Sequence, residues 1–109
     1  MRKYAEKLVN ALPSRKGYEQ CGNHMVWFSN PEKPPTYYTT YLDDTTGEWI
    51  EVKGATRSFL YHGNVIAIVN DVADKYWLSH AGWFTSSTTQ AINSYKEYFS
   101  RLGYKCMTA

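Results

Sequence analysis

Apolar and polar positions alternate with two different periods along this chain, helical at both ends and shorter in the middle. Over residues 2–12, Tyr4, Leu8 and Leu12, joined by Ala5, Val9 and Ala11, form a broad apolar face, and Pro13 ends the run. Arg2, Lys3, Glu6 and Lys7 fall largely on the other side. Towards the C-terminus, Ile92, Tyr95, Phe99 and Leu102 recur at helical spacing behind a hydroxyl-rich stretch at 85–90, and Gly103 marks the end. Ser87, with Gln90 three positions on, matches a capping box and predicts the start of that helix.

Between these stretches the pattern is that of strands. Residues 14–23 are polar and punctuated by Gly17 and Gly22, and Met25-Val26-Trp27-Phe28 reads as a short buried strand. Residues 37–42 are aromatic and β-branched, Asp43-Asp44-Thr45-Thr46-Gly47 supplies a turn, and residues 48–53 return antiparallel. Residues 57–61 and 65–69 flank His62-Gly63-Asn64, a hairpin signal, and 75–78 form one more strand before Ser79-His80-Ala81-Gly82. The Pro-rich loop at 29–35 is too short to separate domains. The expectation is one α+β domain over residues 1–109, an antiparallel sheet of five or six short strands with the N- and C-terminal helices packed on one face.

Composition narrows the classes. The chain has 109 residues, 43% of them hydrophobic and 17% aromatic, which suffices for a modest core and argues against disorder. Its formal net charge of +2 hides a pattern. Residues 1–16 carry five bases and one acid, residues 17–74 three bases and eight acids, and residues 75–109 four bases and one acid. No apolar run is long enough for a membrane helix, and charge stands where a secretory signal would have its apolar stretch, so a cytoplasmic protein without membrane contact is expected. Cys21 and Cys106 are expected as thiols, although their pairing stays open.

Candidate chemistry is sparse. His24, His62 and His80 show no metal-ligand spacing, and neither a nucleophile elbow nor a phosphate-binding loop occurs, so no metal, cofactor or catalytic motif is expected. A small metal-free ribonuclease using His80, Tyr76, Lys75 and Arg57 is compatible with the residue types, though nothing in their spacing demands it. Two binding surfaces compete. One is the tyrosine strand with the acidic hairpin, Tyr37, Tyr38, Tyr41, Asp43, Asp44, Glu48 and Glu51, with the loop before it, suited to a basic partner protein. The other is Trp83 with Thr85, Ser86, Ser87 and Thr88, where a nucleotide can stack while its phosphate meets a helix start. The plainer alternative there is that the hydroxyls cap their own helix while Trp83 and Phe84 pack beneath the sheet. Lys96, Arg101 and Lys105, with Arg2, Lys3, Lys7, Arg15 and Lys16, make a basic patch for phosphate if the two helices lie side by side.

Two blocks, Ser58-Phe59-Leu60-Tyr61-His62-Gly63-Asn64-Val65-Ile66-Ala67 and Gly82-Trp83-Phe84-Thr85-Ser86-Ser87-Thr88-Thr89-Gln90-Ala91-Ile92-Asn93, give the C-terminal half a resemblance to small proteins of tailed bacteriophages. The shared pattern is Ser-aromatic-x-Thr-x-Ile-Ala followed by Gly-Trp/Tyr-x-Ser/Thr-x-Thr-Thr-x-x-Ile/Leu-Asn, and it covers residues 57–93. This chain differs at 61–64 and at Gln90-Ala91, where a basic residue is common. The resemblance implies phage origin and the cytoplasm of a bacterial host, and carries no chemistry. Small phage proteins lacking catalytic motifs often bind host machinery. The leading expectation is therefore a non-enzymatic protein that binds and inhibits a host protein or complex, such as a CRISPR effector of a defence system. A nucleic-acid or nucleotide binder is the alternative, the ribonuclease a third, and a homodimer is open.

Overall fold

A computed structural model describes residues 2–11, 17–30, 32 and 38–108. Its elements are α1 (Arg2–Val9), β1 (Tyr18–Cys21), β2 (His24–Ser29), β3 (Thr40–Leu42), β4 (Trp49–Glu51), β5 (Thr56–Tyr61), β6 (Asn64–Asn70), β7 (Lys75–Leu78), α2 (Ser86–Arg101) and β8 (Lys105–Cys106). The fold is α+β. The expected helix end at 12–13, most of the loop at 29–35, Arg15, Lys16 and Tyr37 lie outside the described residues.

Six strands form one sheet in the order β1-β2-β5-β6-β7-β8, but they are not the six expected from the sequence. The Tyr37–Lys53 region instead supplies a separate two-stranded ribbon, β3-β4, with Tyr41 opposite Ile50 and Leu42 opposite Trp49. Their places in the sheet are taken by β1 and β8, two short edge strands whose sequences show little period-2 alternation. The sheet is also not purely antiparallel. Its β7 and β8 run parallel, with Lys75 opposite Lys105 and Tyr76 opposite Cys106, because α2 forms the crossover between them.

Alternation along the strands decides what each face meets. Val26, Phe59, Ala67, Val69 and Tyr76 face Ala5, Leu8 and Val9 of α1 and Ala91, Ile92, Tyr95 and Phe99 of α2, so both helices lie on one side. The register between β5 and β6 slips after the Phe59–Ala67 pair, since Leu60 already faces Val65. Ile66 is thus the extra residue of a bulge and joins Ala67 in the helix-side core. On the opposite face Tyr41 and Val52 of the ribbon region close over Ile68, flanked by Ile50, Val65 and Trp77.

Local signals at the helix ends differ from the sequence reading at one point. Thr85, not Ser87, is the N-cap, and its hydroxyl oxygen accepts from the Thr88 N–H. Ser87 lies inside the first turn. At the far end Gly103 adopts φ +82, its N–H bonds to the Ser100 carbonyl and that of Tyr104 to the Phe99 carbonyl, a Schellman closure with Tyr104 stacked on Phe99. Cys21 and Cys106 are free and sit on the two opposite edges of the sheet, about 24 Å apart by interstrand spacing, far beyond disulfide reach.

One buried titratable group bears on stability. His24 is enclosed by the rings of Tyr4 and Tyr61 and lies 3.4 Å through Nδ1 from the Tyr95 hydroxyl. Burial, with the charge of His62 adding, holds its pKa below the usual 6.5. The unfolded chain therefore takes up a proton near 6.5 while the folded chain does not, so stability falls as pH drops below that value, until the folded pKa is reached. His24→Phe should flatten this slope, read as a smaller loss of urea midpoint between about pH 7.5 and 5.5 than the wild type shows.

Candidate functional site

The ribbon is stitched to the sheet by polar ties as well as by apolar burial. Two fully buried serines, Ser58 on β5 and Ser79 after β7, donate their hydroxyls to the carbonyls of Tyr38 and Leu42. Ser79 also accepts from the Ala81 N–H. The third tie runs through Asp44 in the ribbon turn. One carboxylate oxygen accepts from the His80 backbone N–H at 2.8 Å, and the other lies 2.6 Å from His80 Nδ1. His80 Nε2 in turn lies 3.3 Å from the Thr89 hydroxyl on α2, and the ring stacks on Phe84 at 4.6 Å between centroids. His80 thereby joins ribbon, loop and helix. A carboxylate only accepts, so Nδ1 carries a proton, and in the neutral ring Nε2 is the acceptor that meets the Thr89 hydroxyl.

Beside this chain opens a cleft of about 350 Å³. Its cause is the end of the β6–β7 pairing. Ala67 opposite Leu78 is the last strand pair, and beyond the Ser79 N–H bond to the Ile66 carbonyl β6 runs on to the hairpin tip with no strand on that side among the described residues, while β5 stays paired with β2 through Tyr61 and His24. The hairpin tip contributes Tyr61, His62, Asn64 and Ile66, and the loop with the helix start contributes His80, Trp83, Thr85, Ser87 and Thr88. The tip itself is a two-residue loop with positive φ at both His62 (+51) and Gly63 (+79). Asn64, expected within the turn, is already in the strand.

The structure divides the residues singled out from the sequence. In the acidic hairpin set, Tyr41 is core, and Asp43 Oδ1 accepts from the N–H groups of Thr45 and Thr46, which also lowers the Asp43 pKa. Asp44 is committed to His80, whereas Glu48 and Glu51 are exposed. Tyr38 is exposed with φ +58 and packs edge-on against Trp27. At the helix start, Thr85 and Thr88 bond each other through both the hydroxyl and the backbone, while Ser86 and Ser87 are exposed. Trp83 and Phe84 do not pack beneath the sheet. They are 59% and 67% exposed, because the ribbon and α2 already fill the two faces.

The ribonuclease set is not assembled. Arg57 forms a forked pair with Asp71, donates to the Val9 carbonyl and lies over Phe59 and Phe99. Tyr76 is buried, its hydroxyl 2.8 Å from that of Ser100, roughly 16 Å along α2 from Thr89 beside His80. Lys75 lies next to Lys105. Between the two helices, which do touch, a shallow groove holds Glu6 and Glu97 as well as Arg101, so the basic patch is interrupted by acids. Among the described residues no group of three or more His, Cys, Asp or Glu side chains is placed to hold a metal, and no helix is long and apolar enough to cross a membrane.

Sequence reasoning missed the Asp44–His80–Thr89 chain and the exposed Trp49. Asp44 and His80 are 36 residues apart and carry no signal of meeting. Compared with known protein families, curated proteins and solved structures, the chain matches none.

A double-mutant cycle with Asp44→Ala and His80→Ala should show a coupling of about 1–2 kcal/mol in chemical denaturation, above that of an exposed ion pair. A coupling near zero would mean that the ribbon is held by apolar contact and the two serines alone.

Proposed function

We propose that this protein acts by binding a host protein of the bacterium its phage infects, and that it blocks the target by occupancy, as an inhibitor of a defence system such as a CRISPR effector would. The observation that carries this is an aromatic seam in solvent. Trp49 is 69% exposed, Phe84 67% and Trp83 59%. Trp49 shares the outer face of the ribbon with its cross-strand neighbour Leu42, whose side chain comes up against Gly82, next in sequence to Trp83. Large exposed rings on an element and on the loop it docks against are costly in water and are the residues on which protein interfaces concentrate their energy. Glu48 and Glu51 flank the seam and suit a partner with basic residues at its rim. Tyr41, Asp43 and Asp44 leave the proposed contact set because each is engaged within the fold.

A tagged wild-type protein should retain one host partner at about 0.5 M salt, where exposed charge pairs are screened and apolar burial is not. The doubly substituted Trp49→Ala, Phe84→Ala protein should bind it at least about 30-fold more weakly, while Val72→Ala, at an exposed turn elsewhere, should bind like wild type. Equal recovery by both aromatic forms sinks the reading.

A second reading rests on the cleft, whose volume lies in the range of small-ligand sites and whose walls include Trp83, Tyr61 and two imidazoles. A nucleotide would stack on Trp83 there. Protein purified at low salt should then show a raised 260/280 nm absorbance ratio, with a nucleotide or oligonucleotide released on denaturation and lost in Trp83→Ala. A clean protein spectrum, together with no binding of added nucleotides, removes this reading.

A further inference from the structure

The cleft holds an arrangement that binding alone does not use. His80 is fixed from behind by the Asp44 carboxylate on Nδ1, and its Nε2 lies 3.3 Å from the Thr89 hydroxyl, a long bond that another hydroxyl can replace. Nucleophile-activating bases are held in this way, with a carboxylate setting the tautomer and leaving the second nitrogen basic. The cleft has a second imidazole, His62, on the hairpin tip in the left-handed conformation (φ +51), which non-glycine residues adopt at a cost. Tyr61 and Trp83 provide ring surfaces, and Tyr61, His62 and His80 are the titratable side chains among its described lining residues.

We propose that this cleft cleaves single-stranded RNA, with His80 as the base and His62 as the acid. His80 Nε2 takes the proton of a ribose 2′-hydroxyl as the 2′-oxygen bonds to the adjacent phosphorus. The bond from phosphorus to the 5′-oxygen breaks, and protonated His62 gives its proton to that oxygen. The products are a 2′,3′-cyclic phosphate and a 5′-hydroxyl, and no further reactant enters. A base of the substrate stacks on Trp83, and the positive end of the α2 dipole lies alongside the charge that develops on the phosphoryl oxygens. Asp44 is a positioning residue that acts through His80. This inference rests on the nucleotide reading of the cleft, and it shares Trp83 with the aromatic seam without needing Trp49 or Phe84.

The test is a fluorogenic oligoribonucleotide beside its 2′-deoxy analogue, with products identified by mass. Cleavage of the ribo form only, ending in a cyclic phosphate and showing a bell-shaped pH profile, supports the proposal. His80→Gln and His62→Asn should each lower the rate about 10²–10⁴-fold. Asn tolerates the left-handed turn, so His62→Asn keeps the test valid if His80→Gln does not fold. In Asp44→Ala the His80 ring should shift away from the Nδ1–H tautomer, read by ¹⁵N NMR, and an unchanged tautomer counts against the role of Asp44. Binding of both oligonucleotides without cleavage overturns the catalytic proposal and leaves the nucleotide reading standing. No binding and no cleavage removes both, and cleavage undiminished in both histidine variants overturns it as a contaminant.

Discussion

Three consecutive residues of β6, Ala67, Ile68 and Val69, are all buried, and successive side chains of a regular strand point to opposite faces. The central sheet must therefore be covered on both sides. The two helices cover one, with Tyr95 and Phe99 of α2 against Phe59. The other is covered by a ribbon whose paired strands are only three residues each. So small an element buries little by itself, chiefly Tyr41 and Val52 over Ile68. Its position is completed by polar ties, from the buried Ser58 to Tyr38 and Ser79 to Leu42, and from the half-buried His80 to Asp44.

That docking creates the functional surfaces. It brings Leu42, the cross-strand neighbour of Trp49, up against the loop that holds Gly82, Trp83 and Phe84, and it sets Asp44 behind His80. The same loop borders the cleft opened by the end of the β6–β7 ladder and the bulge at Ile66. Polar groups that looked available in isolation are consumed in the process. The threonines at 85 and 88 satisfy the helix start, Asp43 closes its own turn, and Asp44 serves His80. What remains for a partner is the exposed rings of Trp49, Trp83 and Phe84 and the imidazoles that line the cleft.

The two sequence blocks at 58–67 and 82–93 show the same division of labour. Ser58, Phe59, Ile66 and Ala67 in the first block are buried, and in the second Thr85 caps α2 while Thr88, Ala91 and Ile92 face inward. Much of that pattern specifies how hairpin, loop and helix pack. Trp83 is a large ring left outside, and it borders both the seam and the cleft.

Local physics made the elements legible. The periodicity of Ile92, Tyr95 and Phe99, the stop at Gly103, the turn at 43–47 and the hairpin around His62-Gly63 are each decided within a few residues, by side-chain direction and by which residues tolerate positive φ. Pairing is different, because a strand's sequence records that it is half buried and not which neighbour buries it. So residues 40–42 and 49–51 read as sheet strands yet form a separate layer, and β1 and β8 join the sheet although their edge positions impose little apolar pattern. The site belongs to this second kind of information. His80 and Trp83 were visible as residues, but what each faces depends on contacts 36 residues away and on a ribbon folded across the sheet, which only tertiary structure could decide.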